Sequence, residues 1–193
     1  NKKLINPYVL AIIIASSAMF FRVLIEVIVI NKQLFDSLVI PMVTMGALGV
    51  IFALIFWFRR DNIPHEIGHN ILKLKSPFNL WPALKFATFF ALILFLSKFA
   101  VSESSDKGIY LTSVVSGVFD VDAITVSMAT LAKNGLSEKT AVLAITIAAI
   151  VNTLSKGMIF LFFGNRKVAL KILATFVVMI AAGAGSLTFA LLN

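Results

Sequence analysis

The sequence predicts an all-α, polytopic integral membrane protein, a helix bundle with about six transmembrane helices. Two observations predict this class. The 193 residues are 60% hydrophobic and only 13% charged, with a mean hydropathy of +0.99, which is far more apolar than an ordinary soluble domain. The apolar residues also fall into separate runs of about 20, the length that a helix needs to cross a bilayer.

Six apolar runs are long enough to span a membrane, and most of them are separated by short polar stretches. They cover residues 7–31, 38–58, 79–101, 109–131, 141–163 and 168–191. Because an even number of crossings returns the chain to its starting side, we expect both termini on one side. That side then carries Lys133, whereas Lys32 and Arg166 fall on the other, and its larger share of Lys and Arg predicts that both termini are cytoplasmic.

The net charge fits a membrane protein. The chain has 17 Lys and Arg against 9 Asp and Glu, a net charge of +8. In a soluble protein this excess would suggest nucleic acid, but here the basic residues cluster between apolar runs, where they meet lipid headgroups. We therefore expect the lipid bilayer, and no nucleic acid, as a partner. The chain has no Cys, which excludes disulfides and thiolate metal sites.

Two similar segments indicate an internal repeat. They are VLAIIIA at residues 9–15 and VLAITIA at residues 142–148, and each begins a helix that leads to a basic residue, Arg22 or Lys156. An even number of predicted crossings separates the two segments, so both copies should run in the same direction through the membrane. The sequence therefore predicts a parallel repeat.

The repeat divides the chain into three parts. Residues 1–60 are the second half of a first repeat, residues 61–76 are an interfacial amphipathic helix or linker, and residues 77–193 are a complete second repeat. The first copy has no counterpart of the two helices that precede the second copy. We expect an upstream segment of the same protein, or another copy in a homo-oligomer, to supply that half.

Asp120 and Asp122 lie near the centre of the apolar run 109–131. A carboxylate at the bilayer centre costs about 2.5 kcal/mol or more, and such residues face a bundle interior, pair with a cation or line an ion path. Gly117 weakens a helix, and Asp122 is a good N-cap. The sequence therefore predicts a break at 117–122, where a half-helix restarts beside the two carboxylates.

The apolar run 141–163 supplies further polar groups. Asn152 and Lys156 continue a stripe of small residues at every fourth position, so they share one helix face. Lys156 needs a counter-charge, which we expect from the Asp pair, and Thr125 and Asn152 are expected to add oxygen ligands. Two Asp and one Lys leave a net charge of about −1, which suits a monovalent cation or a proton better than an unassisted divalent ion.

Arg22 and Glu26 form a supporting pair within the membrane. They are four residues apart in the apolar run 7–31, a spacing at which opposite charges on a helix meet and largely neutralise each other. The alternative to an ion site is a static network of buried ion pairs that only fixes helix packing.

The segment HEIGH at residues 65–69 matches the H-E-x-x-H pattern of zinc hydrolases. On a helix, this pattern presents His65 and His69 as metal ligands and Glu66 as a general base. However, the isoleucines of residues 62–74 form one stripe and the charged residues another, which is typical of an amphipathic helix at the membrane interface. We interpret the segment as interfacial, with a peripheral metal site or zinc proteolysis as alternatives.

Several segments resemble a known membrane domain. GVFDVDAIT, NTLSK and FGNRK are similar to motifs of the domain of unknown function 4010, and so are the stretches 76–98 and 15–31. Proteins with this domain are described as MgtC/SapB-like transporters, usually with a further MgtC-like segment upstream. The resemblance implies transport in a prokaryotic plasma membrane, and magnesium only by association. The upstream segment and the first-half helices of the domain are absent from this sequence.

The sequence thus favours a transporter or channel for a small ion, foremost a cation: magnesium, a monovalent ion or a proton. The site would be formed by Asp120, Asp122, Thr125, Asn152 and Lys156, and no cofactor is expected other than a bound metal cation. A membrane zinc metalloprotease using His65, Glu66 and His69 is one alternative. A non-transporting assembly or regulatory subunit is another.

Overall fold

The computed structural model describes residues 5–58, 106–163 and 166–192, together with positions 88, 91 and 95. Within these ranges every regular element is an α-helix. The helices are α1 (Ile5–Ile30), α2 (Lys32–Phe58), α3 (Asp106–Phe119), α4 (Val121–Lys133), α5 (Glu138–Phe163) and α6 (Arg166–Leu192). Four of them, α1, α2, α5 and α6, are long and apolar enough to cross a membrane, which supports an integral membrane protein.

The helices agree with most of the predicted spans. The runs 7–31, 38–58, 141–163 and 168–191 are confirmed as α1, α2, α5 and α6. The run 109–131 is not one helix, because Asp120 separates α3 from α4. The predicted span 79–101 lies outside the described residues except for the helical positions 88, 91 and 95, and the predicted interfacial segment 61–76 lies wholly outside them.

Close contacts at glycines define the directions of the long helices. Gly46 of α2 lies against the Phe21 ring of α1, and Gly49 lies against Ser17. As the chain moves forward along α2 it moves backward along α1, so the two helices are antiparallel. Small residues allow this close approach without the hydrophobic force that drives packing in water.

Helix α6 packs along α2 in the same antiparallel manner. Met179 of α6 reaches Gly49, and Met45 of α2 reaches Gly183. Since both α1 and α6 run opposite to α2, α1 and α6 run in the same direction. The start of α1 and the end of α6 therefore lie at opposite ends of the bundle, and the prediction that both termini share one side is wrong for these helices.

A hydrogen bond between the beginnings of α2 and α5 supports this arrangement. The Ser37 hydroxyl, just after the α1–α2 turn, donates to a carboxylate oxygen of Glu138 at the start of α5, at 2.6 Å. The Lys32 and Lys133 ends are therefore on one side, and the Arg166 end is on the other. The topology predicted from the sequence placed Lys32 and Lys133 on opposite sides of the membrane, because it treated every apolar run as one complete crossing.

The repeat is inverted, not parallel as the sequence suggested. Helix α5 is antiparallel to α6, with Gly157 against Leu173, so α5 also runs opposite to α1. The shift of 134 positions that aligns Arg22 with Lys156 also aligns the α2 residues Met45 and Gly49 with Met179 and Gly183 of α6. The two Met–Gly contacts between α2 and α6 are then copies of each other, as a two-fold axis between these helices requires.

Candidate functional site

The site is built around the break between α3 and α4. Asp120 has an extended backbone, with φ −157° and ψ 137°, between two regular helices. Its N–H still donates to the Ser116 carbonyl at 2.7 Å, and the Ser116 hydroxyl donates to the Asp120 carbonyl at 3.1 Å. Ser116 thus satisfies both polar backbone groups of the residue that interrupts the helix, which is what a break at membrane depth requires.

Asp120 caps the N-terminus of α4. One oxygen of its carboxylate accepts a hydrogen bond from the Asp122 N–H at 3.3 Å, and a negative charge here faces the positive end of the half-helix. The sequence predicted the break correctly but placed the cap at Asp122. Asp122 lies in the first turn of α4, and its side chain points to another helix.

A close approach of α3 to α5 fixes the break in place. A Cβ atom on Gly117 would lie 2.6 Å from the Ala148 carbonyl oxygen, so only glycine fits there. The Asn152 amide, one turn further along α5, donates to the Gly117 carbonyl at 2.9 Å. Asn152 is buried, and this hydrogen bond connects α5 to the end of α3. From the sequence, Asn152 was expected to be an ion ligand.

Asp122 joins α4 to α1 through an ion pair with Arg22. Arg22 Nη2 donates to Asp122 Oδ1 at 2.6 Å, and Arg22 Nε lies 3.9 Å from Glu26 Oε1. The predicted Arg22–Glu26 pair is present, but Asp122 is the nearer partner. The sequence missed this contact, although the alignment of Arg22 with Lys156 marked Arg22 as a second base of the same kind.

Lys156 does not contact either Asp. Its Nζ lies 3.5 Å from the sulfur of Met19 on α1, and among the described residues no carboxylate lies within 4 Å of it. The charges of Arg22, Asp120 and Asp122 act on it only from farther away. The expected Asp–Lys156 contact is therefore replaced by the Asp122–Arg22 pair, because α4 leans against α1 at this level.

A small cavity opens beside the two bases. Its volume is about 170 Å³, and it is lined by Ala15, Ala18, Met19, Arg22 and Lys156. The two bases occupy equivalent positions in the inverted repeat and meet at one cavity. Substrate and ion sites in transporters built from inverted repeats lie at the repeat interface in this way.

The remaining predicted ligands serve other partners or lie elsewhere. The Thr125 hydroxyl is buried and donates to the Val121 carbonyl of its own helix at 2.8 Å. Within 5–58, 106–163 and 166–192, no three His, Asp or Glu side chains converge as ligands of one metal ion. His65, Glu66 and His69 lie outside the described residues.

The bundle of apolar helices with a charged break in one of them defines an integral membrane protein. The chain belongs to the family described as Domain of unknown function (DUF4010), whose model matches residues 1–164. The resemblance seen in the sequence is thereby confirmed at the level of the family.

One similar protein is an uncharacterized protein from Aquifex aeolicus (strain VF5). The two chains are 34% identical over 170 residues, which is 88% of this chain and 72% of the relative. No solved structure matches this chain.

Proposed function

We propose that this protein moves a small ion, foremost a cation, across the membrane past the break between α3 and α4. The observation that carries this proposal is the carboxylate of Asp120. It lies at a helix break within the bundle, and no cationic nitrogen of the described residues lies within 4 Å of it. An ionisable group in such a position is by default a candidate for a functional site, such as an ion pathway or a proton relay.

The charge of the cluster favours a singly charged cation or a proton. Asp120, Asp122 and Glu26 carry three negative charges when ionised, and Arg22 and Lys156 carry two positive charges. One net negative charge remains, which one monovalent cation neutralises. Magnesium is usually held by one or two carboxylates and several retained waters, so it stays an alternative that the ion panel below tests.

The inverted repeat supports a carrier in particular. Alternating access in such proteins comes from one repeat rocking against the other around a site between them. Here the Arg22–Asp122 pair joins α1 of the first repeat to α4 of the second at 2.6 Å. A motion of one repeat against the other must break or stretch this pair, which makes it the contact that separates two states.

The distribution of basic residues favours a cytoplasmic position for the start of α1. Arg166 begins α6 at that end, and in the sequence Lys2 and Lys3 precede α1 while Arg59 and Arg60 follow α2. At the opposite end, the basic residues that adjoin the described helices in sequence include Lys32, Lys133 and Lys139. Under the positive-inside rule the end of α6 is then on the outer side.

Flux measurements in proteoliposomes test the proposal. Purified protein is reconstituted, and uptake of sodium, potassium, magnesium and protons is compared with that of protein-free liposomes. We expect uptake of one monovalent ion or of protons, lost in Asp120→Asn. The matched control is Asp36→Asn, which removes an exposed carboxylate and should keep wild-type flux.

Absence of flux for every ion would contradict transport and favour the non-transporting assembly or regulatory subunit. Zinc proteolysis through His65, Glu66 and His69 stays a prediction from the sequence. Zinc in the purified protein that disappears in His65→Ala together with activity would favour it over ion movement.

A further inference from the structure

We propose that the cavity between Arg22 and Lys156 is a binding site for a small monovalent inorganic anion, such as a halide. This inference goes beyond the proposed function, because that function uses the carboxylates on the other side of Arg22. The two bases come from opposite repeats and line the same cavity. The other lining residues in the described part of the chain, Ala15, Ala18 and Met19, carry no charge.

The bases have donors left for a ligand. An ammonium group has three N–H donors. Among the described residues, the one polar contact of Lys156 is a thioether sulfur 3.5 Å away, which is a weak acceptor. A guanidinium has five N–H donors, of which Arg22 gives one to Asp122 at 2.6 Å. Asp122 already offsets the charge of Arg22, so the charge of Lys156 is the one that an anion in the cavity would neutralise.

The carboxylates of the cluster do not occupy the cavity. Asp120 caps α4, Asp122 meets Arg22 from the α4 side, and Glu26 is one helical turn further along α1. None of them is among the residues that line the cavity. Lys156 therefore gives the lining a positive charge that no carboxylate of the described residues offsets within 4 Å, although the wider cluster is negative.

Size and charge indicate the class of anion. The cavity of about 170 Å³ holds several times the roughly 30 Å³ that one water occupies, so an anion with part of its hydration shell fits. Because the surrounding cluster has a net negative charge, a singly charged anion is favoured over phosphate or sulfate carrying two charges.

Chloride binding to the purified protein in detergent tests the proposal without any flux. Broadening of the chlorine-35 NMR line by the wild type should fall about tenfold or more in Lys156→Met, because a cation next to the anion is lost. It should rise in Asp120→Asn, because a nearby negative charge is lost. The exposed Lys133 gives the matched control, and Lys133→Met should bind chloride as the wild type does.

Three results would overturn the proposal: no broadening by the wild type, unchanged broadening in Lys156→Met, or an equal fall in Lys133→Met. If Lys156→Met does not fold, Lys156→Arg and Asp120→Asn carry the test. The first must keep chloride binding and the second must strengthen it, and failure of either contradicts the site. Chloride binding without cation flux would contradict the proposed function and still support the anion site.

Discussion

The two halves of the inverted repeat present the same base in two different situations. Arg22 on α1 is held by Asp122 at 2.6 Å. Within the described ranges, the polar contact of its counterpart Lys156 on α5 is the sulfur of Met19. The difference arises because the described part of the chain contains one broken helix, which leans with its acidic end against α1. Equivalent positions in the two repeats can therefore hold different partners at the same time.

The same broken helix is attached differently on its two sides. It meets α5 through Gly117, Ala148 and Asn152, a tight and uncharged contact. It packs along α1 as well, and there the contact includes the Arg22–Asp122 ion pair, which is sensitive to its environment. Just after α1, the Asn31 amide also donates to the Ala129 carbonyl at 3.4 Å. If one repeat moves against the other, we expect the charged side to open and the glycine side to stay closed.

The largest expected effect concerns the directions of the two repeats. Single Cys residues replace Lys32, Lys133 and Arg166, and a membrane-impermeant thiol reagent is applied from one side. Because Ser37 contacts Glu138, positions 32 and 133 should react from the same side and position 166 from the other. Labelling of positions 32 and 166 from the same side would contradict the inverted repeat and support the parallel repeat predicted from the sequence.

The next effect concerns the glycine contact of the broken helix. Gly117→Ala places a Cβ 2.6 Å from the Ala148 carbonyl, so it should lower the free energy of unfolding in detergent by about 1–3 kcal/mol. At Gly185, no atom of the residues that the structure describes lies within 4 Å of the corresponding Cβ position. Gly185→Ala should change stability by less than about 1 kcal/mol, and an equal loss in both variants would mean that α3 does not approach α5 closely.

The smallest expected effect separates the structural and functional roles of Asp120. Asn is as good an N-cap as Asp, so Asp120→Asn should change the free energy of unfolding by only about 0.5 kcal/mol or less. Asp120→Ala should cost about 0.5–2 kcal/mol, since the cap is lost. Thermal unfolding in detergent measures both. A large loss of stability in Asp120→Asn would mean that the carboxylate serves an ion pair instead of an ion.

Much of the architecture could be predicted from the sequence. Long apolar runs with few charges fix four of the helices, because the bilayer sets their length. Gly117 followed by Asp120 and Asp122 marks the break, since glycine weakens the helix and either Asp can begin a new one. The choice between the two Asp could not be predicted, because both have the chemistry of a cap and only the backbone at Asp120 decides.

The direction of the repeat and the partner of Asp122 required the structure. The similar segments at 9–15 and 142–148 indicate a repeat, but they carry no information on the directions in which its two copies cross the membrane. Those directions were inferred from the number of apolar runs between the copies. Arg22 and Lys156 are chemically equivalent partners for a carboxylate. Only the contact of α4 with α1 in the structure shows that Asp122 forms its ion pair with Arg22.

The central claim is that Asp122 forms its ion pair with Arg22 and not with Lys156. A comparison of two double-mutant cycles tests it most directly. Thermal stability in detergent is measured for Arg22→Met, Lys156→Met and Asp122→Asn, and for each basic change combined with Asp122→Asn. We predict a coupling of about 1–3 kcal/mol between Arg22 and Asp122, because they are in direct contact. The changes at Lys156 and Asp122 should be nearly additive, with a deviation clearly below that coupling. Additivity for Arg22 with strong coupling for Lys156 would contradict the account and return the Asp pair to Lys156.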